Sequence, residues 1–155
     1  MGRVIATVLG VLAIIGYAVG SGLTVDTGSA WWTGLTRPPW QPPDWVFGVI
    51  WPYNFLVLGI AVVRIATRAT AATVATTLVL LGLSVVAALT WSVLFYGPHR
   101  LWAATVALAC ATALTVPLVA ITFRGSAVLG WSLIPYQVWL ALATSLSWGY
   151  AVRNR

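Results

Sequence analysis

The chain has 155 residues, of which 61% are hydrophobic and only 6% charged, and its mean hydropathy is +0.96. Soluble domains carry roughly 25% charged residues, so this composition excludes a soluble domain and indicates a membrane protein in contact with lipid. The net charge of +6 comes from eight arginines and two aspartates. Because the arginines stand singly between apolar runs and form no basic stripe, their spacing counts against a nucleic-acid-binding surface, and no nucleic-acid partner is expected.

Five apolar runs are each long enough to cross a bilayer, which takes about 20 residues in a helix. The sequence therefore predicts an all-α membrane protein, a single five-helix transmembrane domain over residues 1–155. Its helices are expected at about 4–25, 45–67, 71–97, 101–123 and 127–152. The first run is longer than the roughly 7 to 15 apolar residues of a signal peptide, so we expect a true helix. Pro52, Pro117 and Pro135 fall inside the runs and predict kinks.

Residues 26–44, which we call the tryptophan loop, separate the first two helices. Two Pro-Pro pairs, at 38–39 and 42–43, exclude helix and central strand because they remove backbone donors and fix φ. The loop is therefore expected to be a stiff, extended connection. With five alternating helices it shares one membrane face with the ends of the third and fifth helices and the starts of the second and fourth. We expect it to act as the lid of a binding site.

Seven of the ten tryptophans divide into two groups by their depth. Five lie near helix ends, where aromatic rings commonly form an interface belt: Trp31, Trp32, Trp102, Trp131 and Trp148. Trp139 instead falls at the midpoint of the fifth helix, and Trp51 falls close to the midpoint of the second. An indole N–H at that depth needs a partner from the protein or from a ligand. We expect both rings to line a cavity, with ordinary core packing as the alternative.

The groups that catalysis or metal binding would need are largely missing from the sequence. It contains no paired carboxylates, no His/Cys/acid cluster at ligand spacing and no phosphate-binding glycine loop, and the single Cys110 cannot form an internal disulfide. The absence of charges inside the spans argues against an ion pump. The composition instead suits an aromatic cavity for a flat hydrophobic ligand, a porphyrin or a sterol, whose acidic edge Arg37 or Arg100 would meet.

Three motifs in order resemble the TspO family, also called translocator protein, peripheral benzodiazepine receptor or tryptophan-rich sensory protein. Residues 31–45 read W-W-x-x-L-x-R-P-x-W-x-P-P-x-W, and Trp51 follows. Residues 91–97 read W-x-x-L-F-Y-G, and residues 135–139 read P-Y-x-x-W. The resemblance covers nearly the whole chain and implies a five-helix bundle, commonly a homodimer.

The resemblance also implies ligands and a site. Family members bind porphyrins such as protoporphyrin IX and haem, cholesterol in animals, and isoquinoline and benzodiazepine drugs, so a porphyrin or haem is expected here as a ligand, with no obligatory cofactor and no metal site. The residues expected to line the ligand site are Trp40, Pro42, Pro43, Trp45, Trp51, Phe55, Ser84, Ala88, Trp91, Phe95, Tyr136, Trp139, Ala143 and Ser147.

Four of these positions depart from the family pattern by losing or shrinking a polar group. Ser84 and Ala88 stand where the third helix usually carries Gln and Asn. Phe55 replaces a Tyr, and Ser147 replaces an Asn. We therefore expect a drier pocket than in a typical member.

Two weaker patterns concern lipid and assembly. Leu146, Tyr150 and Arg153 fit a short cholesterol-contact pattern, although Tyr150 and Arg153 are first expected as an interface anchor and a snorkelling arginine. Small residues recur every four positions on the first, third and fourth helices, which permits close helix packing. That packing is expected either within one bundle or, as the resemblance suggests for the third helix, in a homodimer.

The sequence leaves three functions open. The first is a membrane receptor, sensor or carrier that binds a tetrapyrrole or similar hydrophobic ligand, such as a sterol, inside the bundle, and it is the one we favour. The second is an enzyme that oxidises protoporphyrin in light, with Trp51 and Trp139 supplying the reactive rings. The third is a membrane scaffold that needs no ligand.

Overall fold

The computed structural model describes residues 2–155, which form five long helices and one short helix. They are α1 (Arg3–Thr24), α2 (Ala30–Gly34), α3 (Asp44–Arg68), α4 (Ala71–Tyr96), α5 (Leu101–Gly125) and α6 (Ala127–Arg153). All but α2 are long and apolar enough to cross a membrane. The predicted fold class, an all-α membrane protein with five spanning helices, is confirmed, and each observed helix end lies within two residues of its predicted position.

Polar residues mark the ends of the spanning helices. The Thr70 and Ser126 side chains cap α4 and α6 by accepting bonds from the Thr73 and Leu129 backbone N–H groups, which satisfies donors that the helix itself leaves unpaired. Ser126 is the one residue between α5 and α6, so these two helices must pack side by side.

The five long helices form a closed ring. α1 packs on α3 and α4, α4 on α5, α5 on α6, and α6 returns to α3. The α4–α5 and α5–α6 contacts are the most extensive, whereas the contact between α3 and α6 is smaller. The seam between α3 and α6 is the least extensive contact in this ring. It contains the predicted site residues Trp51 and Trp139.

Small residues on α1 and α4 are used inside this ring. A Cβ on Gly20 would lie 2.8 Å from Leu89 Cδ2, so α1 approaches α4 closely because Gly20 has no side chain. One turn further along α1, the Thr24 hydroxyl donates to Ser92 Oγ on α4 at 2.8 Å. Ser84, Ala88 and Ser92 are all buried, so this stripe on α4 serves packing within one bundle.

The tryptophan loop is not extended throughout, which corrects the expectation from its prolines. Residues 30–34 form α2, whose N-cap Ser29 accepts a bond from the Trp32 N–H at 3.3 Å. Gln41 N donates to Pro38 O at 3.1 Å, which closes a turn with Pro39 at its second position, where the fixed φ of proline is favourable. This proline turn makes the loop compact, and the loop folds back over the end of the bundle.

Candidate ligand site beneath the tryptophan loop

The tryptophan loop is fastened to the last turns of α6. The Thr36 N–H donates to Asn154 Oδ1 at 2.8 Å, and Asn154 Nδ2 donates back to Thr36 O at 3.2 Å. Trp40 Nε1 donates to Ser145 Oγ at 3.3 Å, and the Tyr150 hydroxyl donates to Gln41 Oε1. These bonds hold the loop across the end of the bundle, where a lid was predicted.

Glycine on α6 lets the loop come this close. Gly149 is buried, and a Cβ there would lie 2.8 Å from Pro38 Cγ and 2.9 Å from Trp40 Cζ2. Arg153, one turn further on, places its guanidinium carbon 5.7 Å from the centroid of the Trp40 ring, within the range of a cation–π contact.

An upper aromatic cluster joins α2, α4 and α6 and is formed by Trp31, Trp32, Phe95, Tyr96 and Tyr150. Phe95 is its centre, with ring centroids 5.6 Å from Trp31 and 5.7 Å from Tyr150. Trp31 and Trp32 are half-buried, and both rings pack on other aromatic side chains of the protein. Trp102, Trp131 and Trp148 do remain exposed, as a belt requires.

A second group of rings, which we call the deep aromatic site, consists of Tyr17, Phe47, Trp51, Phe55 and Trp139. Trp51 stacks on Phe55 with centroids 5.5 Å apart and meets Tyr17 edge-on at 5.8 Å. Trp139 meets Phe47 at 5.0 Å and Trp51 at 6.4 Å, both edge-on. The structure thus brings Trp51, Phe55 and Trp139 together across the α3–α6 seam.

The indole N–H of Trp139 has no hydrogen-bond partner, although this residue is only 5% exposed. Ten residues separate Trp139 from Gly149, so at the rise of an α-helix the indole lies about 15 Å below the loop, near the bilayer midplane. Leaving such a donor unpaired costs about 1 to 3 kcal/mol. A ligand with an acceptor at this depth would recover that energy.

A group of polar side chains between α4, α5 and α6 forms hydrogen bonds within itself. Trp91 Nε1 donates to Ser147 Oγ at 3.2 Å, and Ser147 also shares a 2.9 Å bond with Thr105. Gln137 accepts from Thr115 at 2.7 Å and donates to the Thr112 carbonyl at 3.0 Å. Ser147 therefore still provides a polar centre in place of the larger Asn of the family pattern.

The remaining predicted site residues fall into two sets. Ala88 and Tyr136 lie in the main core cluster, and Ala143 packs against it as Trp51 and Phe55 do. Ser84 is buried on α4, and its hydroxyl donates to Leu81 O. The other set lies on the loop side: Pro42 is half-buried, Pro43 is exposed, and Trp45 is 71% exposed. The structure does not bring Trp45 to the interior positions.

Asn54 is a candidate site residue that the sequence reasoning missed. It is 0% exposed, and neither its Nδ2 nor its Oδ1 has a partner. Asn54 follows Trp51 by three residues, which places the two side chains on neighbouring parts of one helix face. The sequence feature that could have identified Asn54 is its amide side chain in the middle of an apolar span. Asn54 therefore adds a polar group to the interior, which the four departures from the family pattern had predicted to be drier.

The proposed sterol-contact residues lie inward. Leu146 and Tyr150 are 5% and 3% exposed, and Tyr150 packs in the upper aromatic cluster. The expected role of Tyr150 as an interface anchor is therefore wrong, because its hydroxyl binds the loop. Arg153 is exposed and lies over Trp40.

Comparisons with known proteins agree with this architecture. The sequence model of the TspO/MBR family matches residues 6–153. The chain belongs to this family. It is 32% identical to the tryptophan-rich protein TspO of Archaeoglobus fulgidus, across 98% of this chain and 97% of that protein. It is 28% identical to the TspO protein of Chlorobaculum tepidum, across 92% and 90%, and 27% identical to human translocator protein, across 86% and 80%.

The TspO/MBR match runs from the first turns of α1 to the last residue of α6. It therefore includes the tryptophan loop and all five spanning helices, and it agrees with an integral, multi-pass membrane protein. Within residues 2–155, no three His, Cys, Asp or Glu side chains come together as a set that would hold a metal ion. The chemistry available in the interior is that of aromatic rings, hydroxyls and amides.

Proposed function

We propose that this protein binds a tetrapyrrole, or a similarly flat hydrophobic ligand such as a sterol, in the deep aromatic site, and that it acts as a sensor, receptor or carrier for that ligand. The observation that carries the proposal is the buried, unpartnered N–H of Trp139 among the rings of Trp51 and Phe47. Two relatives carry the names tryptophan-rich sensory protein and translocator protein, which fits either form of this role.

Each part of the site has a role in binding. A flat ligand takes the place of the edge-to-face contacts across the α3–α6 seam and presents its face to indole rings, which favour such contact. The Trp139 N–H donates to a ring nitrogen or an oxygen of the ligand. The buried Asn54 amide, about one turn along α3 from Trp51, offers a further donor and acceptor. The tryptophan loop closes over the ligand and excludes water.

Arg37 is the loop residue that would meet an acidic edge. Its guanidinium lies 3.6 Å from Asp44, and both side chains are largely exposed. Exposed ion pairs contribute about 0 to 1 kcal/mol, so a ligand carboxylate at the loop displaces this pair at little cost.

The direct test is a titration of the purified protein with protoporphyrin IX, haem and cholesterol, followed by tryptophan fluorescence. We expect saturable quenching at one ligand per chain. Trp139→Phe keeps an aromatic ring but removes the N–H, so it should weaken protoporphyrin binding about 5- to 30-fold, or 1 to 2 kcal/mol. Trp131→Phe is the matched control, because Trp131 lies 68% exposed near the start of α6. Equal affinities of the two folded variants would refute the site.

Illumination distinguishes binding from catalysis. Trp51 and Trp139 are the two rings that a photo-oxidising enzyme would use, and they lie edge-on at 6.4 Å. A binder shifts the absorption spectrum of protoporphyrin without consuming it, whereas an enzyme forms a new chromophore whose rate depends on Trp139. If none of the three ligands saturates, the scaffold function replaces both.

A further inference from the structure

A groove of about 640 Å³ runs along the outer surface between α1 and α3, away from the tryptophan loop. Its walls are apolar over most of their length, from Phe55 and Ile15 to Ile60 and Val63. Gly59 also lines it, and a Cβ built there meets no atom within 4 Å. The groove therefore has room for an apolar chain beside the two helices.

Two arginines close one end of the groove. Arg64 and Arg68 are four residues apart on α3, line the groove and are exposed. The only ion pair in residues 2–155 joins Arg37 to Asp44, at the opposite end of the bundle. Asp26, the other acid, follows α1 at that same opposite end. The guanidinium groups at the groove thus have no carboxylate partner.

The dimensions of the groove match one leaflet of a bilayer. Thirteen residues separate Phe55 from Arg68, which is about 20 Å along an α-helix. Half of a typical hydrocarbon core is about 15 Å. The apolar part of the groove therefore reaches from the interface to the midplane, while its charged end lies at the level of lipid headgroups.

We propose that this groove is a binding site for an anionic phospholipid of the leaflet at the start of α1. One acyl chain lies along the groove between Ile15 and Ile60, and the phosphate binds Arg64 and Arg68. Guanidinium groups recognise phosphate oxygens through paired N–H bonds. An anionic headgroup is preferred over a zwitterionic one, because no carboxylate at this end attracts the choline or ethanolamine cation. The two sites share Phe55, which lines the inner end of the groove and stacks on Trp51. Gly59, Arg64 and Arg68 lie outside the deep aromatic site, so variants at these positions test the groove by itself.

Native mass spectrometry of the purified full chain tests the proposal, with dioleoyl phosphatidylglycerol and dioleoyl phosphatidylcholine as probes. We expect one phosphatidylglycerol to be retained in preference to phosphatidylcholine, and glycerol phosphate not to displace it, since it lacks the acyl chains. The double variant Arg64→Gln/Arg68→Gln should lower phosphatidylglycerol affinity about 25-fold, the product of two arginine contributions. Arg124→Gln, at the same membrane face but outside the groove, is the charge control.

The apolar half of the site has its own variant. Gly59→Leu extends a side chain into the groove from a position whose Cβ meets no atom within 4 Å, and it should also weaken phosphatidylglycerol retention. Gly48→Leu is the control, because Gly48 is exposed on the same face of α3 in the other leaflet and has no atom within 4 Å of its Cβ position. If Gly59→Leu does not fold, Ile60→Trp blocks the same groove from a half-exposed position.

Three results would overturn the proposal. The first is equal retention of the two lipids with no effect of the arginine variant. The second is an equal loss of binding in Arg124→Gln, which would indicate general surface attraction. The third is a change in oligomeric mass in Gly59→Leu with lipid binding unaltered, which would assign the groove to a second copy of the chain.

Discussion

Gly149→Ala tests whether the tryptophan loop is a lid. The added Cβ would lie 2.8 Å from Pro38 Cγ and 2.9 Å from Trp40 Cζ2, whereas carbon atoms in contact lie about 3.5 to 4.0 Å apart. Pro38 is buried and rigid, so the clash cannot be relieved by rotating a flexible side chain. The loop must move outward by about 1 Å, which strains the hydrogen bond from Trp40 to Ser145.

The expected energy is the sum of two opposing effects. Overpacking of this kind costs about 1 to 3 kcal/mol, while replacing glycine by alanine inside a helix contributes about 0.5 to 1 kcal/mol of stability. Gly82→Ala, on α4, is the control for the stability gained by replacing a helical glycine. A Cβ at Gly82 meets nothing within 4 Å, so this variant causes no overpacking at that atom. The free energies of unfolding of the two variants should therefore differ by about 1 to 3 kcal/mol, with Gly149→Ala the less stable.

A loosened lid also releases ligand faster. If the closed state loses about 1 to 2 kcal/mol, the open population rises about 5- to 30-fold, and protoporphyrin should dissociate faster by a similar factor in a stopped-flow experiment. Circular dichroism checks that the helices remain folded. If Gly149→Ala matches Gly82→Ala in both stability and dissociation rate, the loop is not held by this contact and does not gate the site.

Three further predictions concern the interior and the assembly. Ala88→Asn restores an amide that the family pattern carries. We expect the unmodified protein to bind the carboxamide drug ligands of the family weakly, and Ala88→Asn should increase that affinity while changing protoporphyrin affinity little; competition titration measures both. Asn54→Leu removes two unpaired buried polar atoms and should raise the free energy of unfolding by about 1 to 3 kcal/mol. A folded variant that is instead less stable would show that the Asn54 side chain forms hydrogen bonds. The resemblance to the family favours a homodimer through α4, on which Val79 and Leu83 are exposed. In that arrangement Val79→Trp with Leu83→Trp should yield monomers by light scattering, and an intact dimer would exclude this face.

The number and the ends of the spanning helices could be predicted from local sequence alone. A bilayer has a defined thickness, and arginines and aspartates are too costly to place in its core, so charges such as Asp44 and Arg68 mark where α3 must begin and end. The same argument placed Trp139 at mid-depth, and the motifs around Trp40 and Trp91 indicated the family. None of these inferences required knowledge of which helices touch.

Which side of each helix faces inward was decided by the tertiary structure. Hydropathy cannot show this, because in a membrane the lipid-facing and core-facing surfaces are both apolar. Trp31 and Trp32 resemble belt residues in sequence, yet they pack on Phe95 because α2 folds back over α4. Asn54 and Trp139 have no hydrogen-bond partners, because the packing of the helices decides which groups lie near them. Such contacts join residues far apart in the chain, and they form only when the five helices pack together.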